Sequence, residues 1–298
     1  MAGIDLNRTS AGVNLPPALS SEIWGATVYQ SAVMAATRRI ELPGAGINVP
    51  IITGEPEAGW VGETDPKPLS SHTLSNKTIT PYTLAVIELF SNQFRRDLPA
   101  LYRELVRRLP AALGKAFDAT VFGTVTAPGS NFDRLDTAPA LTVDGTATYA
   151  DLVAVFQAVA AAGGNLSHWL ASPSLQGLLL SATDGFGRPL FLPDATTGNT
   201  VGQMLGRPII GTNGAMMKST TVGDTTGIAG DFANGAVWGS VEGIQISFSE
   251  NAVEKSDGTV IAPWSRNMFA VRAEIEVGFR VVDVNRFVRI TDGVVDTP

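Results

Sequence analysis

Residues 54–76, GEPEAGWVGETDPKPLSSHTLSN, restrict the fold more than any other stretch of the chain. They hold Pro56, Pro66 and Pro68, four acids and almost nothing that builds a core. Yet they lie between two runs with strand character, Arg38 to Thr53 (RRIELPGAGINVPIIT) and Lys77 to Phe90 (KTITPYTLAVIELF). Gly44 and Gly46 break the first run into two short strands. Two strands flanking a polar excursion of this size form a thin arm, and an isolated two-stranded ribbon is marginal in water. Such an arm needs a surface to lie on. Taken alone, the same residues fit a mobile surface loop equally well.

The rest of the chain alternates helix and strand signals. Ser20 and Ser21 precede Ile23, Trp24, Thr27, Val28, Ser31 and Met34, which predicts a short helix with a serine cap. In residues 98–123 Leu98, Leu101, Leu105, Leu109, Leu113, Phe117 and Val121 recur at helical spacing, and Gly123 is a natural stop. Pro110 removes a donor inside that helix and is expected to kink or divide it. Arg95, Arg96, Arg103, Arg107 and Arg108 crowd its start, either as a solvated face or as a basic stripe facing polyanion. Thr148 and Asp151 open a second helix with a capping-box-like pair. HWLASP reads as a buried strand, PSLQGLLLSAT as a helix with Pro173 near its start, and GRPIIGT as another strand. Near the end Val271, Ala273, Ile275, Val277, Phe279 and Val281 alternate with Arg272, Glu274, Glu276, Gly278 and Arg280. That pattern is a strand with one buried and one charged face.

Composition removes several function classes. The chain has 298 residues, 44% of them apolar, enough for a substantial core. It has no cysteine, which excludes disulfides, thiolate nucleophiles and zinc–thiolate sites. His72 and His168 are the only histidines, too few for a histidine-based metal site; His168 beside Trp169 reads as core packing. No metal or cofactor is expected. No run of eighteen apolar residues occurs and the first twenty positions lack a signal core, so a soluble chain made in the cytoplasm, away from membranes, is expected. Gly44 and Gly46 lack the third glycine of a dinucleotide fingerprint. In GTNGAMMKST, Gly211 and Gly214 stand too close together for a phosphate loop, and no G-x-S-x-G elbow occurs. An enzyme acting on a small substrate therefore has no motif to rest on.

A formal charge of -7 argues against tight phosphate binding. Residues 123–262 carry twelve acids and five bases, whereas residues 1–122 and 263–298 are each balanced. A neutral domain built from both ends, with an acidic domain inserted in its middle, reads this way.

In order along the chain, these features resemble the major capsid proteins of tailed bacteriophages with the Hong Kong 97-like capsid fold, an α+β architecture. The stretches that carry the likeness are GWVGETDPKP, DGFGRPLF, LGRPIIGTN, GDFANGAVWGSVEGIQISFSENA and NMFAVRAEIEVGFRVV, and coverage runs from about Ser20 to near the end. The resemblance implies an N-terminal arm (1–37) and a peripheral domain (38–145) with an extended loop (54–80) and a spine helix (98–122). It implies an axial domain (146–260) and return strands of the peripheral domain (261–298). It also implies self-assembly as hexamers and pentamers into an icosahedral shell around double-stranded DNA, which the chain touches non-specifically, an acidic lining letting the DNA move. A virion protein assembled in the host bacterial cytoplasm would have a portal protein, a scaffolding protein and a decoration protein as partners. Many relatives carry a long N-terminal scaffolding segment; here barely twenty residues precede the first helix, so a separate scaffold is expected. Alternatives are an encapsulin-like nanocompartment, a secreted β-rich binding or carbohydrate-active protein, and a phage tail subunit.

Some members of that family join neighbouring subunits through a lysine–asparagine isopeptide bond assisted by a glutamate. Lys67 matches the family lysine by its following proline and its place in the loop, Asn267 followed by Met268 matches the asparagine, and Glu274 stands seven residues on. Lys67 must lose a proton to become a nucleophile, and a carboxylate such as Glu274 can accept it. The plain alternative is a solvated loop lysine, a strand-start asparagine and an exposed strand carboxylate.

Overall fold

The computed structural model describes residues 25–27, 31–53, 73–93, 98–145, 148–183, 188, 202–212, 216–218, 223–251, 253–254 and 258–294. Helix character is present at 25–27, and a separate helix, α1 (Ala32–Ala36), follows. Its cap is Ser31, whose Oγ accepts from the backbone N of Met34. The cap expected at Ser20 and Ser21 falls outside the described residues. Strands β1 (Arg38–Glu41) and β2 (Ile47–Thr53) flank the Gly44 and Gly46 break, and β3 (Thr73–Ile79) and β4 (Tyr82–Ser91) flank Pro81.

Helix α2 (Leu98–Val121) runs unbroken across Pro110. Leu105, Leu109, Leu113, Phe117 and Val121 are buried along one side of it. Burial of so many large side chains, each worth about 2 kcal/mol, outweighs the roughly 3 kcal/mol a proline costs inside a helix, so the helix is not divided. Gly123 ends it with φ +88.

Two sheets follow from the strand pairings. The first is organised on β14 (Met268–Val281), which alternates as its sequence predicts. All of β4 lies along one edge of β14, from Met268↔Ser91 to Val277↔Tyr82. The other edge is shared: β10 (Ala236–Ser240) pairs with Ser240↔Val277 to Ala236↔Val281, and β11 (Gln245–Ser249) with Gln245↔Glu274 to Ser249↔Ala270. Strand β1 adds outside β10 in parallel. Helix α2 packs on this sheet through β4, α1 packs against α2 and against the strands His168–Ala171 and Arg207–Gly211 of the second sheet, and the shared core includes Phe117, Phe132, Trp238, Phe269 and Phe279.

The second sheet has the order β5 (Ala140–Thr142), β15 (Phe287–Thr291), β9 (Thr225–Gly230), β6 (His168–Ala171), β8 (Arg207–Gly211), β7 (Gln203–Met204). Helices α3 (Thr148–Ala161) and α4 (Pro173–Ser181) pack on it around Trp169, whose Nε1 donates to the carbonyl of Met204 at 3.1 Å. Strands β12 (Val253–Glu254) and β13 (Val260–Ile261) form a small hairpin before β14. Within 146–260, β10 and β11 hydrogen-bond to the β14 sheet; within 261–298, β15 completes the other one.

Among the described residues, strands β2 and β3 pair only with each other, antiparallel from Ile47↔Ile79 to Thr53↔Thr73. This is the ribbon that the polar excursion demanded. Its foot is crowded: Gly46 has φ +81, and a Cβ there would stand 2.6 Å from the carbonyl oxygen of Ile79. Gly46→Ala is expected to destabilise the chain by about 2 kcal/mol, read as a lower midpoint in denaturant. A change under about 0.5 kcal/mol would show that the foot has room to relax.

Candidate inter-subunit site

The outward face of β14 bears Arg272, Glu274, Glu276 and Arg280, because the strand's period of two sends Val271, Ala273, Ile275 and Val277 inward. Glu274 is half-buried and lies 3.3 Å from Arg272 Nε. With Glu276, Glu242, Gln245, Thr83 and the 241–243 turn it lines a concavity of about 410 Å³. The register explains the grouping, since Gln245 stands opposite Glu274 on one edge and Thr83 opposite Glu276 on the other. Three carboxylates around one hollow favour a cationic group. Among the described residues, no set of three or more histidine or acidic side chains is placed to hold a metal ion.

Asn267 caps the 3-10 turn Trp264–Arg266 in the left-handed conformation, φ 57 and ψ 44, which asparagine tolerates better than most residues. The residue is exposed. Its backbone carbonyl accepts from the N–H of Asn92 at 2.9 Å, and its Oδ1 accepts from Asn92 Nδ2 at 3.1 Å. Asn92 was invisible to sequence reasoning: nothing in the SNQF stretch marks it, and only the β4–β14 pairing brings it to Asn267. A donor on the carboxamide oxygen draws charge from the carbon that a nucleophile would attack.

Asn267 and Glu274 are not brought together within one chain. Six strand steps separate Met268 from Glu274, about 20 Å at roughly 3.3 Å per residue. Lys67 lies outside the described residues, as do His72, Arg95 and Arg96. Arg108 pairs with Glu88 of its own chain, Nη1 to Oε1 at 2.8 Å, so this member of the arginine stripe faces a carboxylate. His168 sits half-buried at the start of β6 with Nδ1 3.1 Å from Ser167 Oγ, and burial lowers its pKa. No described helix is long and apolar enough to cross a membrane.

The profile of the phage capsid family matches residues 11–292. A protein of Mycobacterium phage L5, described as "Probable major capsid protein gp17", is 30% identical, the match covering 93% of this chain and 89% of that protein. The protein of the same description from Mycobacterium phage D29 is 28% identical over 93% and 90%. Among solved structures, a chain from Mycobacterium phage Adephagia superposes with a TM-score of 0.68 at 22% identity, covering 90% of this chain and 91% of that one. The likeness at that identity establishes the Hong Kong 97-like fold, which the ribbon, the long α2 and the two sheets display. The breadth of the family match, with a relative at 30% identity along nearly the whole length, places this chain in the phage capsid family.

Proposed function

We propose that the chain is the major capsid subunit of a tailed phage, assembling through hexamers and pentamers into an icosahedral shell around double-stranded DNA. One observation carries the reading. The body holds two hydrophobic cores, yet among the described residues the β2–β3 ribbon is hydrogen-bonded as a sheet only to itself. A second copy supplies the surface such a ribbon needs. A portal protein, a separate scaffolding protein, a decoration protein and assembly in the host cytoplasm belong to the same proposal. Purified protein examined by negative-stain microscopy is expected to yield closed particles. A compact monomer that persists at high concentration would overturn the reading, and particles filled with a cargo enzyme would redirect it to a nanocompartment.

Covalent reinforcement through Lys67 and Asn267 forms the finer part of the proposal. Lys67 Nζ, once deprotonated, attacks Cγ of Asn267; the Nζ–Cγ bond forms, the Cγ–Nδ2 bond breaks and ammonia leaves with the proton that lysine gave up. Glu274 carries that proton between the two amines. Because Glu274 stands about 20 Å along β14 from Asn267 of its own chain, the glutamate that assists must come from another copy. Asn92 polarises the amide under attack. Boiled mature particles are expected to run as ladders on denaturing gels. Lys67→Ala should leave only monomer, and Asn92→Ala should slow ladder formation by about 10-fold. A single monomer band from wild-type mature particles would remove the crosslink while leaving the shell reading intact.

A further inference from the structure

The foot of the ribbon is held by a cluster of charged and amide side chains drawn from three separate parts of the chain. Asp133, in the segment between α2 and β5, sits at its centre. Its Oδ1 accepts from Arg280 Nη1 at 2.6 Å and its Oδ2 accepts from the backbone N–H of Val281 at 3.0 Å. Lys77, on β3 of the ribbon, places Nζ 3.6 Å from the same Oδ2 and donates to the carbonyls of Val281 at 2.6 Å and Val282 at 3.4 Å.

Arg280 commits the rest of its guanidinium to the same junction. Nε donates to the carbonyl of Thr78 in β3 at 2.8 Å, Nη2 to Oδ1 of Asn131 at 3.1 Å, and Nη1 also to the carbonyl of Ser130 at 3.4 Å. Asn131 Nδ2 reaches Thr80 Oγ1 at 3.1 Å. The arginine side chain is only 11% exposed, so these are bonds in a partly dry setting where charge-assisted pairs are strong. Steric contact closes the other side: a Cβ at Gly278 would stand 2.8 Å from the carbonyl oxygen of Thr80.

We infer that Asp133 is a positioning residue for shell assembly: by locking Lys77 of the ribbon and Arg280 of β14 into one cluster, it fixes the direction in which the ribbon leaves the subunit. The inference rests on the reading that the ribbon reaches a neighbouring copy. A ribbon aimed before contact loses little orientational freedom on docking, whereas a swinging one is ordered at the cost of association strength. Bidentate use of the carboxylate explains why the hub is an aspartate. One oxygen meets the arginine, and the other meets the Val281 N–H and the lysine.

The chain has no cysteine, so introduced thiols label cleanly. Spin labels at Ser75→Cys on β3 and Lys115→Cys on α2 report the ribbon's angle to the body in the unassembled protein. The distance distribution is expected to be narrow in the parent and at least twofold broader with Asp133→Ala. It should be intermediate with Arg280→Lys, which keeps charge but loses the fork, and unchanged with Glu242→Ala. Microscopy of the Asp133→Ala protein should show open or irregular assemblies where the parent forms closed ones. Should Asp133→Ala fail to fold, Arg280→Lys and Lys77→Met carry the same test. Equal widths in the folded clamp variants and the parent would overturn the inference. A parent that forms no shells yet shows the predicted widths would instead count against the assembly reading.

Discussion

Phe279→Ala is expected to lower the stability of the unassembled chain by about 4 kcal/mol, the scale measured for deleting a fully buried aromatic ring. Phe279 is 0% exposed on the inward face of β14. Its ring meets Phe117 of α2 edge-on, centroids 6.2 Å apart, and Phe132 at 6.1 Å. Across the ladder it stands opposite Trp238 of β10. The side chain therefore joins the long helix, the central strand and the 124–139 connection at one point, and collapse of the surroundings into the vacancy is resisted from three directions. Edge-to-face pairs add to the area lost. At about 2–4 °C per kcal/mol for a chain of this size, a fall of roughly 10 °C in Tm is expected by calorimetry. Phe279→Leu, which keeps most of the volume, should cost about 1.5 kcal/mol. A loss under about 1 kcal/mol for the alanine variant would show that this region is not the shared core that the burial indicates.

Phe279 also marks how far sequence alone reaches. Its place on the buried face of a strand follows from alternation with Gly278 and Arg280, a local signal of period two. The ribbon was legible for a similar reason: Pro56, Pro66 and Pro68 deny residues 54–76 a core, and β-type runs on either side leave few options. The partners of β14 were not legible. Nothing in AVWGS or QISFS indicates that they divide one edge of the same strand, because pairing is decided by contacts between residues 21 to 45 positions apart and by the turn at 241–244. The unbroken α2 had the same cause, since burial of its leucines outweighs the local penalty of Pro110. In the candidate site, Asn267 and Glu274 were found by resemblance, but the six strand steps from Met268 to Glu274 and the hydrogen bonds of Asn92 to Asn267 belong to strand geometry and register. The clamp on Asp133 was likewise unreadable. Its carboxylate gains meaning only when residues 77, 133 and 280 converge.

Asp118 is the other such residue, and it makes stability depend on pH. It lies on the buried side of α2 beneath the N-terminus of α1, 1% exposed. Its carboxylate accepts from Ser31 Oγ at 2.6 Å and from the backbone N–H groups of Ala32 at 2.9 Å and Val33 at 3.3 Å, and Thr212 adds a further side-chain hydrogen bond. Two donors at the start of a helix and a serine hydroxyl explain why an acid is tolerated there. Burial nevertheless dominates and pushes the carboxyl up from 3.8 to about 6. A raised acid means that the folded chain holds a proton the unfolded chain has released between about pH 4 and 6, so stability falls as pH rises through that window. A move from 3.8 to about 6 corresponds to roughly 3 kcal/mol, absent below pH 4 and fully developed above pH 6. Asp118→Asn removes the titration. Subtracting its denaturant-unfolding curve from the parent's at pH 4, 5, 6 and 7 should show the parent losing ground steadily to pH 6 and no further. Asp118→Ala leaves Ser31, Ala32 and Val33 without their acceptor and should cost at least about 3 kcal/mol at pH 7, with proteolysis near residue 31 accelerated. A parent that instead gains stability relative to the asparagine variant between pH 4 and 6 would mean that the hydrogen bonds outweigh burial, and that α1 is held by a fully ionised latch.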